Sequence, residues 1–250
     1  MEAAEFTANR ILAGLPTTEA QVLVPQFELL ELYVGDLVQD TGEPIHFLHF
    51  PVDCAITVTS MEDDAHLVEV CLTGNEGCTG SSIVDGTDRS PCMAMVQITG
   101  RAARIATPVI TEHLASTPYL NAALLQYNGL LMQLAVVSVG CSRFHSAIQR
   151  VARWLAAHRY RTGAQRFPFS DRFLAAQTGM DGRTATETVN ELERRGVVTR
   201  GHNAIAIADT EALQRHACQC LERSYRATEA YLQRLSALSK EYEDSQRRRS

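Results

Sequence analysis

The order of apolar and polar positions divides the chain into a strand-rich first half and a helix-rich second half. From residue 27 to residue 105, short apolar or alternating runs are separated by turn sequences rich in Gly, Asp and Asn. Strands this short, at a spacing of roughly 8 to 12 residues, predict an antiparallel sandwich or barrel. They are expected at residues 27–29, 37–38, 47–50, 55–61, 67–72, 93–98 and 103–105, after two short helices at 9–15 and 18–24.

A long helix is predicted next, because apolar residues recur at alternating steps of four and three. Such a heptad seam is typical of a dimer helix, although the core helix of a single chain gives the same stripe. The pattern alone leaves both interpretations open. The seam consists of Leu120, Leu124, Tyr127, Leu131, Leu134, Ser138 and Cys141.

Two further helices are predicted, one at residues 146–160 and one that begins at residue 209. In the last helix, apolar residues step by four and three again between Leu221 and Leu235. For the helix at 146–160, the expected inward positions are Ile148, Val151, Trp154 and Leu155, and the expected outward positions are Arg150, Arg153 and Arg159.

Residues 167–207 predict two helices that meet at a tight turn. Ser170 is placed to cap the first helix by accepting bonds from its free N–H groups. Gly179 follows that helix, and glycine is the residue type that a turn with positive φ needs. Asp181 can cap a second helix, which Gly196 closes. The order of caps and glycines therefore predicts a helix-turn-helix.

A hairpin with one apolar face is expected after the second helix. Residues 197–199 and 204–207 are predicted strands, joined by a polar turn at 200–203. This hairpin would be the wing of a winged helix-turn-helix. Two helices around a glycine also occur in small helical cores that bind no nucleic acid, so that structural alternative stays open.

The stretch is similar to the C-terminal domain of the Crp/Fnr family of bacterial transcription regulators. The resemblance is carried by QRVARWL at 149–155, by FLAAQTGMDGRTATETVNELERRGVV at 173–198 and by the glycine-punctuated first half. It implies an α+β protein with an N-terminal antiparallel β-roll of the jelly-roll type, a long dimerisation helix and a C-terminal winged helix-turn-helix. The implied segments are 1–107 for a cyclic-nucleotide-binding-like sensor, 108–145 for the hinge and dimerisation helix, 146–208 for the DNA-binding domain and 209–250 for a helical extension.

The resemblance also implies a function. The chain would be a homodimeric, effector-responsive transcription regulator and not an enzyme, with a palindromic double-stranded DNA operator and RNA polymerase as partners. The residues identify neither the small-molecule effector nor a cofactor. Under this interpretation the heptad seam becomes the dimer interface, formed by Leu120, Leu124, Tyr127, Leu131, Leu134 and Cys141.

Base-contacting positions follow from the resemblance when the chain is aligned on Gly179. They fall on Gly182, Arg183 and Glu187, which departs from the common Arg-Glu-x-x-x-Arg arrangement, so a different operator is expected. The structural alternative is that Arg183 and Glu187, four residues apart on a helix, only pair with each other and contact no base. The residues expected at the DNA are Ser170, Asp181, Gly182, Arg183, Thr184, Thr186, Glu187 and Arg200, with Thr184 at a phosphate and Arg200 in the wing.

The family's effector site is matched only in part. Cyclic-nucleotide binders carry a Gly-Glu pair for the ribose and an Arg-Ser or Arg-Thr pair for the phosphate. In this chain the carboxylate is missing, and Ala135 and Val136 stand where hydroxyls would bind the adenine, so cyclic AMP is disfavoured. An exposed loop would have the same sequence character. The candidates for a degenerate effector pocket are Gly80, Ser81, Arg89 and Ser90.

The distribution of charge also differs between the strand-rich first half and the helix-rich second half. Residues 1–141 contain 4 Arg and no Lys against 17 Asp and Glu, a net of −13, whereas residues 142–205 contain 11 Arg against 5, a net of +6. A basic segment fits a DNA reader, because neutralising phosphates supplies much of the affinity. The acidic start at residues 1–5 predicts no secretory signal, and polar residues interrupt the richest apolar run at 124–139. A cytoplasmic protein without a membrane partner is expected.

The seven cysteines show no paired pattern and fit a reducing compartment. Their spacing does not match an iron–sulfur motif, and buried, small apolar side chains are the expectation for most of them. Cys218 and Cys220, near His216, are a poor metal site on a helix, because positions i and i+2 point to different faces. Cys78, in a glycine-rich loop, is the candidate for a thiol sensor.

Two other functions compete with the regulator. A cupin-like metal enzyme also uses a β-roll, but the spacing of the roll's potential ligands does not match the His-x-His pair of such sites. A β-roll binding module whose C-terminal domain contacts a protein is the second alternative. The potential metal ligands of the roll are His46, His49, His66 and Glu69.

Overall fold

The structure, a computed structural model, describes residues 7–63 and 66–248, and the chain folds into two compact units. The first unit contains the chain up to Ile56, Thr73–Met132 and the chain from Ala227. The second unit contains Thr57–Leu72 and Gln133–Arg226. The units therefore cut across the segments that the resemblance implies, since residues 57–72 group with the helix-turn-helix and the last helix groups with the roll.

The predicted β-roll is present as seven strands. They are β1 (Glu28–Leu32), β2 (Leu37–Gln39), β3 (Phe47–Pro51), β4 (Ala55–Asp63), β5 (His66–Thr73), β6 (Met93–Ile98) and β7 (Gly100–Ala106). One sheet has the order β1-β7-β3 and another the order β2-β6-β4-β5. Antiparallel pairing places Glu28 opposite Arg104, and Phe47 opposite Ala106. The α+β class and the antiparallel roll are confirmed.

The core of the first unit follows from the alternation along these strands. A cluster of small and medium apolar side chains is buried there, and it includes one of the thiols that the sequence predicts to be apolar core. Gly77 lies so close to Tyr127 that a Cβ would stand 2.0 Å from the ring, so only glycine fits. The clustered residues are Leu32, Cys54, Ile56, Ala94, Val96 and Ala102.

A buried carboxylate caps the longest helix of the first half. The helices there are α1 (Arg10–Ala13), α2 (Thr17–Leu23), α3 (Thr107–His113) and α4 (Pro118–Phe144). Glu19, on α2, accepts hydrogen bonds from the backbone N–H groups of Tyr119 at 2.8 Å and Leu120 at 3.0 Å. The first N–H groups of a helix have no partner within it. Burial raises the pKa of Glu19, and the two hydrogen bonds partly oppose that shift.

The predicted seam of α4 faces the interior of the chain. Five of the six residues assigned to a dimer interface are buried, and the sixth, Leu131, is half-buried. Side chains that are buried within one chain cannot form an interface with a second copy. The core-helix interpretation therefore applies to these positions, and the assignment is corrected for the buried residues Leu120, Leu124, Tyr127, Leu134 and Cys141.

Another face of α4 is apolar and exposed. Met132, Val136 and Val139 are 67%, 58% and 70% exposed, and Leu125 is exposed on the same helix. The step from Leu125 to Met132 is seven residues, followed by steps of four and three, so these residues form one stripe, called here the α4 stripe. The heptad pattern thus occurs twice on this helix, once buried and once exposed.

The length and composition of α4 are sufficient for a helix that crosses a bilayer, which the sequence did not lead us to expect. One such helix is weak evidence for a membrane protein, because the core helix of a soluble protein has the same character. The buried seam and the α4 stripe together account for this composition.

The second unit contains the predicted winged helix-turn-helix. Its elements are α5 (Ala147–Thr162), β8 (Arg166–Pro168), α6 (Asp171–Thr178), α7 (Gly182–Arg194), β9 (Val198–Gly201), β10 (Ala204–Ile207) and α8 (Thr210–His216). The last helix, α9 (Cys220–Arg247), belongs to this unit only as far as Arg226. The wing is a sheet of order β8-β10-β9, so the lead-in segment adds a third strand to the predicted hairpin. The wing turn is also shorter than predicted, because Arg200 and Gly201 belong to β9.

The predicted C-terminal helix is in fact two helices. α8 ends at His216, Ala217 is extended with φ −70° and ψ 154°, and α9 begins at Cys220. Cys218 therefore lies in the link between the helices, while Cys220 is the first residue of α9. The helical-face argument against a metal site does not apply to this pair.

Candidate nucleic-acid interface

The helix-turn-helix is formed by local signals. Ser170 Oγ accepts a hydrogen bond from the backbone N–H of Phe173 at 3.1 Å and caps α6. Gly179 ends that helix in the left-handed region with φ 60°, where a side chain would be strained. Asp181 caps α7 through its Oδ1, which accepts from the N–H of Thr184 at 2.9 Å. The sequence predicts all three of these features, and all three are confirmed.

Arg150 fixes the turn between α6 and α7. From α5 it donates through Nη2 to the carbonyl of Gly179 at 2.9 Å and also to the carbonyl of Thr178. The last carbonyls of a helix lack partners within it, and a guanidinium is a strong donor to them. Arg150 is therefore a structural residue of the turn, and its predicted outward orientation is wrong. Arg153 and Arg159 are half-buried as well.

A buried carboxylate on β5 supports α5 within the second unit. Glu69 Oε2 accepts from Thr57 Oγ1 at 3.0 Å and from Trp154 Nε1 at 3.1 Å, and it lies 3.3 Å from His158 Nε2. Burial alone would raise the pKa of Glu69. The charge of His158, that of Arg153 and the indole hydrogen bond outweigh it and hold the pKa below the ordinary value. Glu69 is thus an ionised residue that the fold itself uses.

The start of α7 presents its side chains to solvent. Gly182 is exposed, with open space where a Cβ would be, and Arg183 and Glu187 are 87% and 63% exposed. Arg183 Nε donates to Glu187 Oε1 at 2.8 Å, and this bond raises the pKa of Arg183. The two residues therefore pair in the DNA-free chain. We call Gly182, Arg183 and Glu187 the reading head.

Hydroxyl groups near the reading head are already bonded to the chain. Thr184 Oγ1 donates to Asp181 Oδ2 at 2.7 Å, and this bond, with the backbone bond from Thr184, holds the pKa of Asp181 below its ordinary value. Thr186 Oγ1 donates to the carbonyl one turn earlier at 2.9 Å. Their contact with phosphate, like that of Ser170, stays a prediction.

Arg200 packs on α7 from the wing. Its Nη2 lies 3.4 Å from the carbonyl of Thr186, and its guanidinium carbon lies 5.4 Å from the centre of the Phe169 ring. Its backbone N–H donates to Glu193 Oε1 at 2.9 Å. Arg200 therefore positions the wing against α7, and its contact with a phosphate stays a prediction.

The loop at residues 80–90, called here the cassette loop, uses its polar groups internally. Gly80 begins a short 3-10 turn with φ 84°, and Ser81 is buried. The buried Ser90 donates its hydroxyl to the carbonyl two residues later at 2.6 Å. Arg89 is exposed, and its Nη1 donates to the carbonyl of Gly42 at 2.8 Å. The four effector candidates therefore share one loop, but Gly80, Ser81 and Ser90 are buried in the chain and Arg89 bonds to it.

The metal-enzyme alternative gains no support from the roll. His49 is buried, and burial together with the charge of Arg104 lowers its pKa to about 4. His46 is exposed, and the side chain of His66 lies outside the described residues. Glu69 is engaged by the second unit. Among the side chains that the structure describes, the single cluster of three or more potential ligands is a different one, Cys141, His145, Cys218 and Cys220.

That cluster is the site that sequence reasoning missed. Cys141 and Cys218 are 77 positions apart, and their Sγ atoms lie 3.5 Å apart. The spacings Cys141 to His145 and Cys218 to Cys220 are visible in the sequence, but nothing in it shows that the two pairs meet. Cys78, the candidate for a thiol sensor, is buried, and burial raises its pKa, so the structure agrees with the expectation of a buried, apolar thiol at this position.

Comparison with known proteins agrees with this geometry. A family model described as the Crp-like helix-turn-helix domain matches residues 149–216. No curated protein matches the chain in sequence. Among solved structures, FixK2 from Bradyrhizobium japonicum matches with a TM-score of 0.64 at 13% identity, over 77% of this chain and 98% of its own.

Two further structures show the same architecture. The c-di-GMP responsive global regulator CLP of Xanthomonas campestris has a TM-score of 0.64 at 13% identity, covering 76% of this chain and 98% of its own. A CRP-family transcriptional regulator from Thermus thermophilus has a TM-score of 0.62 at 15% identity, over 75% and 96%. At these identities the likeness shows the fold.

The protein has the β-roll and helix-turn-helix architecture of transcription regulators. Its residues 149–216 form a Crp-like helix-turn-helix domain, and 77% and 76% of the chain share the fold of FixK2 and CLP.

Proposed function

We propose that the chain is a homodimeric, sequence-specific DNA-binding transcription regulator that acts in the cytoplasm without a membrane partner. The observation that carries this proposal is the start of α7. There Arg183 and Glu187 are exposed at the position from which a helix-turn-helix reads the major groove, inside the region that matches the Crp-like domain. The net charge of +6 between residues 142 and 205 supports it.

The pairing of Arg183 with Glu187 does not prevent base reading. An exposed pair four residues apart on a helix contributes about 0.2 to 0.5 kcal/mol. A bidentate contact between an arginine and guanine O6 and N7 discriminates by about 1 to 3 kcal/mol. DNA therefore offers Arg183 a better partner than Glu187 does. Glu187, once released, is suited to the amino group of a cytosine.

Dimerisation is assigned to the α4 stripe. Burying an apolar side chain of this size stabilises by about 1.5 to 3 kcal/mol relative to leaving it in water, and four such residues lie on one helix face. The seven-four-three spacing is the pattern that lets two helices pack as a coiled coil. A second copy of the same helix is the partner that fits it.

Sedimentation tests this assignment. In a symmetric interface, Val136→Asp would bury a carboxylate near its own symmetry mate, so the variant should be a monomer. The control is Val22→Asp on α2, where the same change falls on a valine that is 41% exposed and lies off the stripe. A wild-type monomer, or a Val136→Asp variant that stays dimeric, would exclude the α4 stripe as the interface.

Selection of bound sequences from random duplex DNA tests the function itself. A palindrome with half-sites about 34 Å apart is expected, because a symmetric dimer places its two reading helices one turn of DNA apart. A protein-binding module in place of a DNA reader would enrich no sequence. RNA polymerase is proposed as a further partner on the resemblance alone.

The effector is proposed to be a molecule other than cyclic AMP. Ser81 cannot supply the carboxylate that holds a ribose, and Ala135 and Val136 offer no hydroxyl to an adenine. Ser90 and Arg89 already bind carbonyls of the chain. Each buried hydrogen bond that a ligand fails to make costs about 1 to 3 kcal/mol. Cyclic AMP should therefore bind weakly.

A further inference from the structure

Three thiols and an imidazole converge in the second unit. Cys141 lies in the last turn of α4 and His145 follows one turn later, where its N–H still bonds to the carbonyl of Cys141 at 3.3 Å. Cys218 lies in the link before α9, and Cys220 begins that helix. The three sulfur atoms and one ring nitrogen all lie within 4.8 Å of one another. We call these four residues the thiol cluster.

The distances fit ligands around one ion. Zinc in a tetrahedral site lies about 2.3 Å from sulfur and about 2.0 Å from nitrogen, which sets neighbouring ligand atoms roughly 3.5 to 3.8 Å apart. Here the Sγ atoms of Cys141 and Cys218 are 3.5 Å apart, and Cys220 Sγ is 3.6 Å from His145 Nδ1. The remaining separations do not exceed 4.8 Å, so movements of about 1 Å close the site.

The chemistry of the donor set selects the same kind of ion. Three cysteines with one histidine are a known ligand set of structural zinc sites. The three thiols are buried, and His145 is half-buried, so each ligand atom is held among protein atoms. An iron–sulfur cluster, which places several iron atoms between its thiolates, would need the sulfurs farther apart. The charge of Arg153 acts on Cys141 and Cys220, and it would offset part of the negative charge of three thiolates.

We propose that Cys141, His145, Cys218 and Cys220 bind one zinc ion in tetrahedral geometry. Binding releases the three thiol protons to solvent and needs no oxidant or reductant. The ligands flank the domain matched at residues 149–216, two on each side, so that domain does not contain the site. One ion would join the end of α4 to the start of α9, and it would close the segment that contains the helix-turn-helix domain into a loop.

Metal analysis of the protein purified without an affinity tag tests the proposal. About one zinc per chain is expected in the wild type. The double variant Cys218→Ser, Cys220→Ser should retain less than about a tenth of that, since two of four ligands are lost. Cys92→Ser is the matched control, because this half-buried thiol lies outside the cluster and its loss should leave the zinc content unchanged.

A second measurement covers the case in which the double variant does not fold. Apoprotein of the wild type, prepared with a chelator under reducing conditions, is titrated with Co²⁺. The intense visible spectrum of tetrahedral cobalt bound to thiolates should appear and saturate at one equivalent, and Zn²⁺ should displace it. The proposal is overturned if no such spectrum appears, or if mass analysis of the protein purified without reductant shows a Cys141–Cys218 disulfide in place of metal.

Discussion

The reading head and the cassette loop contain similar residues, and the fold treats them in opposite ways. In the reading head, the side chains of Arg183 and Glu187 are exposed and bond to each other. In the cassette loop, Ser90 and Arg89 bind backbone carbonyls of the chain. Polar side chains of the first kind are free to exchange partners, whereas those of the second kind are part of the fold.

The difference has a physical origin. A helix satisfies most of its backbone hydrogen bonds itself, and Asp181 caps the first turn of α7, so the side chains of Arg183 and Glu187 are not needed as partners of the backbone. The cassette loop has no ladder of its own, and its backbone groups must find other partners. Several of these partners are backbone groups, as where the N–H of Ser90 donates to the carbonyl of Glu43. The side chains of Ser90 and Arg89 donate in turn to the carbonyls of Cys92 and Gly42, which flank or face the loop. The comparison predicts that substitutions in the cassette loop have little effect on the binding of cyclic AMP. Substitutions in the reading head should change DNA binding without changing the free energy of unfolding.

The largest effect is expected where a polar group is both buried and used by the fold. Glu69→Ala removes the acceptor of Trp154 and Thr57 and leaves His158 without its buried partner. Breaking a buried ion pair from one side costs about 3 to 5 kcal/mol. Trp154 is the single tryptophan of the chain and touches Glu69, so unfolding followed by tryptophan fluorescence reports on this site directly.

The pH dependence of unfolding separates charge from packing in this variant. Because the folded pKa of Glu69 lies below the ordinary 4.5, ionised Glu69 contributes stability above pH 4.5, and that contribution is lost as the pH falls through the folded pKa. Glu69→Gln keeps the shape and the acceptor, so it should lose less stability than Glu69→Ala, and its loss should shrink below pH 4.5. A loss for Glu69→Gln that is the same at every pH would contradict the ionised state.

Arg183→Ala should act on DNA alone. We expect a loss of about 1 to 3 kcal/mol on the selected operator and a relaxed preference at one base pair per half-site. Stability should change by less than about 0.5 kcal/mol, because the side chain is exposed. Binding to a set of operators with single base substitutions, measured beside chemical unfolding, checks both expectations.

Arg226→Ala provides the control for the reading head. Arg226 bonds to Glu222 at 2.5 Å in the same i, i+4 arrangement and is also largely exposed, but it lies on α9. If Arg183 only pairs with Glu187, the two variants should behave alike. Equal loss on every operator variant for Arg183→Ala would exclude its role in base reading.

Much of the fold was predictable because its signals are local. The caps Ser170 and Asp181 and the turn glycine Gly179 act within four residues of their position, and all were placed correctly. The partners of Arg150 and Glu69 were not predictable, since they lie 29 and 85 positions away and depend on how the elements pack. The seam of α4 failed for a related reason. A heptad pattern indicates a helix face that is suited to burial, but not the partner against which it packs.

The thiol cluster could not be predicted from the sequence for the same reason, because it depends on how distant segments pack. The sequence predicts one helix through Cys218 and Cys220, because the helix expected from residue 209 continues into apolar steps of four and three between Leu221 and Leu235. The extended backbone at Ala217 breaks that helix. Glycine and proline are the usual sequence signals for such a break, and residues 211–225 contain neither. The pairing with Cys141 then depends on tertiary contacts alone.

Arg200→Ala should weaken binding to all sequences alike. If Arg200 reaches a phosphate, the magnitude of the slope of log K against log salt should fall by about one. The structure adds a second effect, because the half-buried Arg200 also stacks on Phe169 and contacts the carbonyl of Thr186. A cation–π contact contributes about 0.5 to 2 kcal/mol, depending on how far it is desolvated. DNA-binding titrations at two salt concentrations distinguish a lost phosphate contact from a lost packing contact within the chain. Lower stability with an unchanged salt slope would leave Arg200 with a positioning role only.

The smallest effect is expected in the cassette loop, and it tests the comparison most strictly. Arg89 is exposed and its only described hydrogen bond goes to the carbonyl of Gly42, so Arg89→Ala should change stability by less than about 0.5 kcal/mol. Calorimetry should detect no tight cyclic AMP binding to either wild type or variant, and operator affinity should be the same with and without the nucleotide. The wild type supplies the critical observation. A micromolar constant for cyclic AMP that Arg89→Ala abolishes would mean that the loop exchanges its internal bonds for a ligand as readily as the reading head does, and the distinction between the two regions would then be lost.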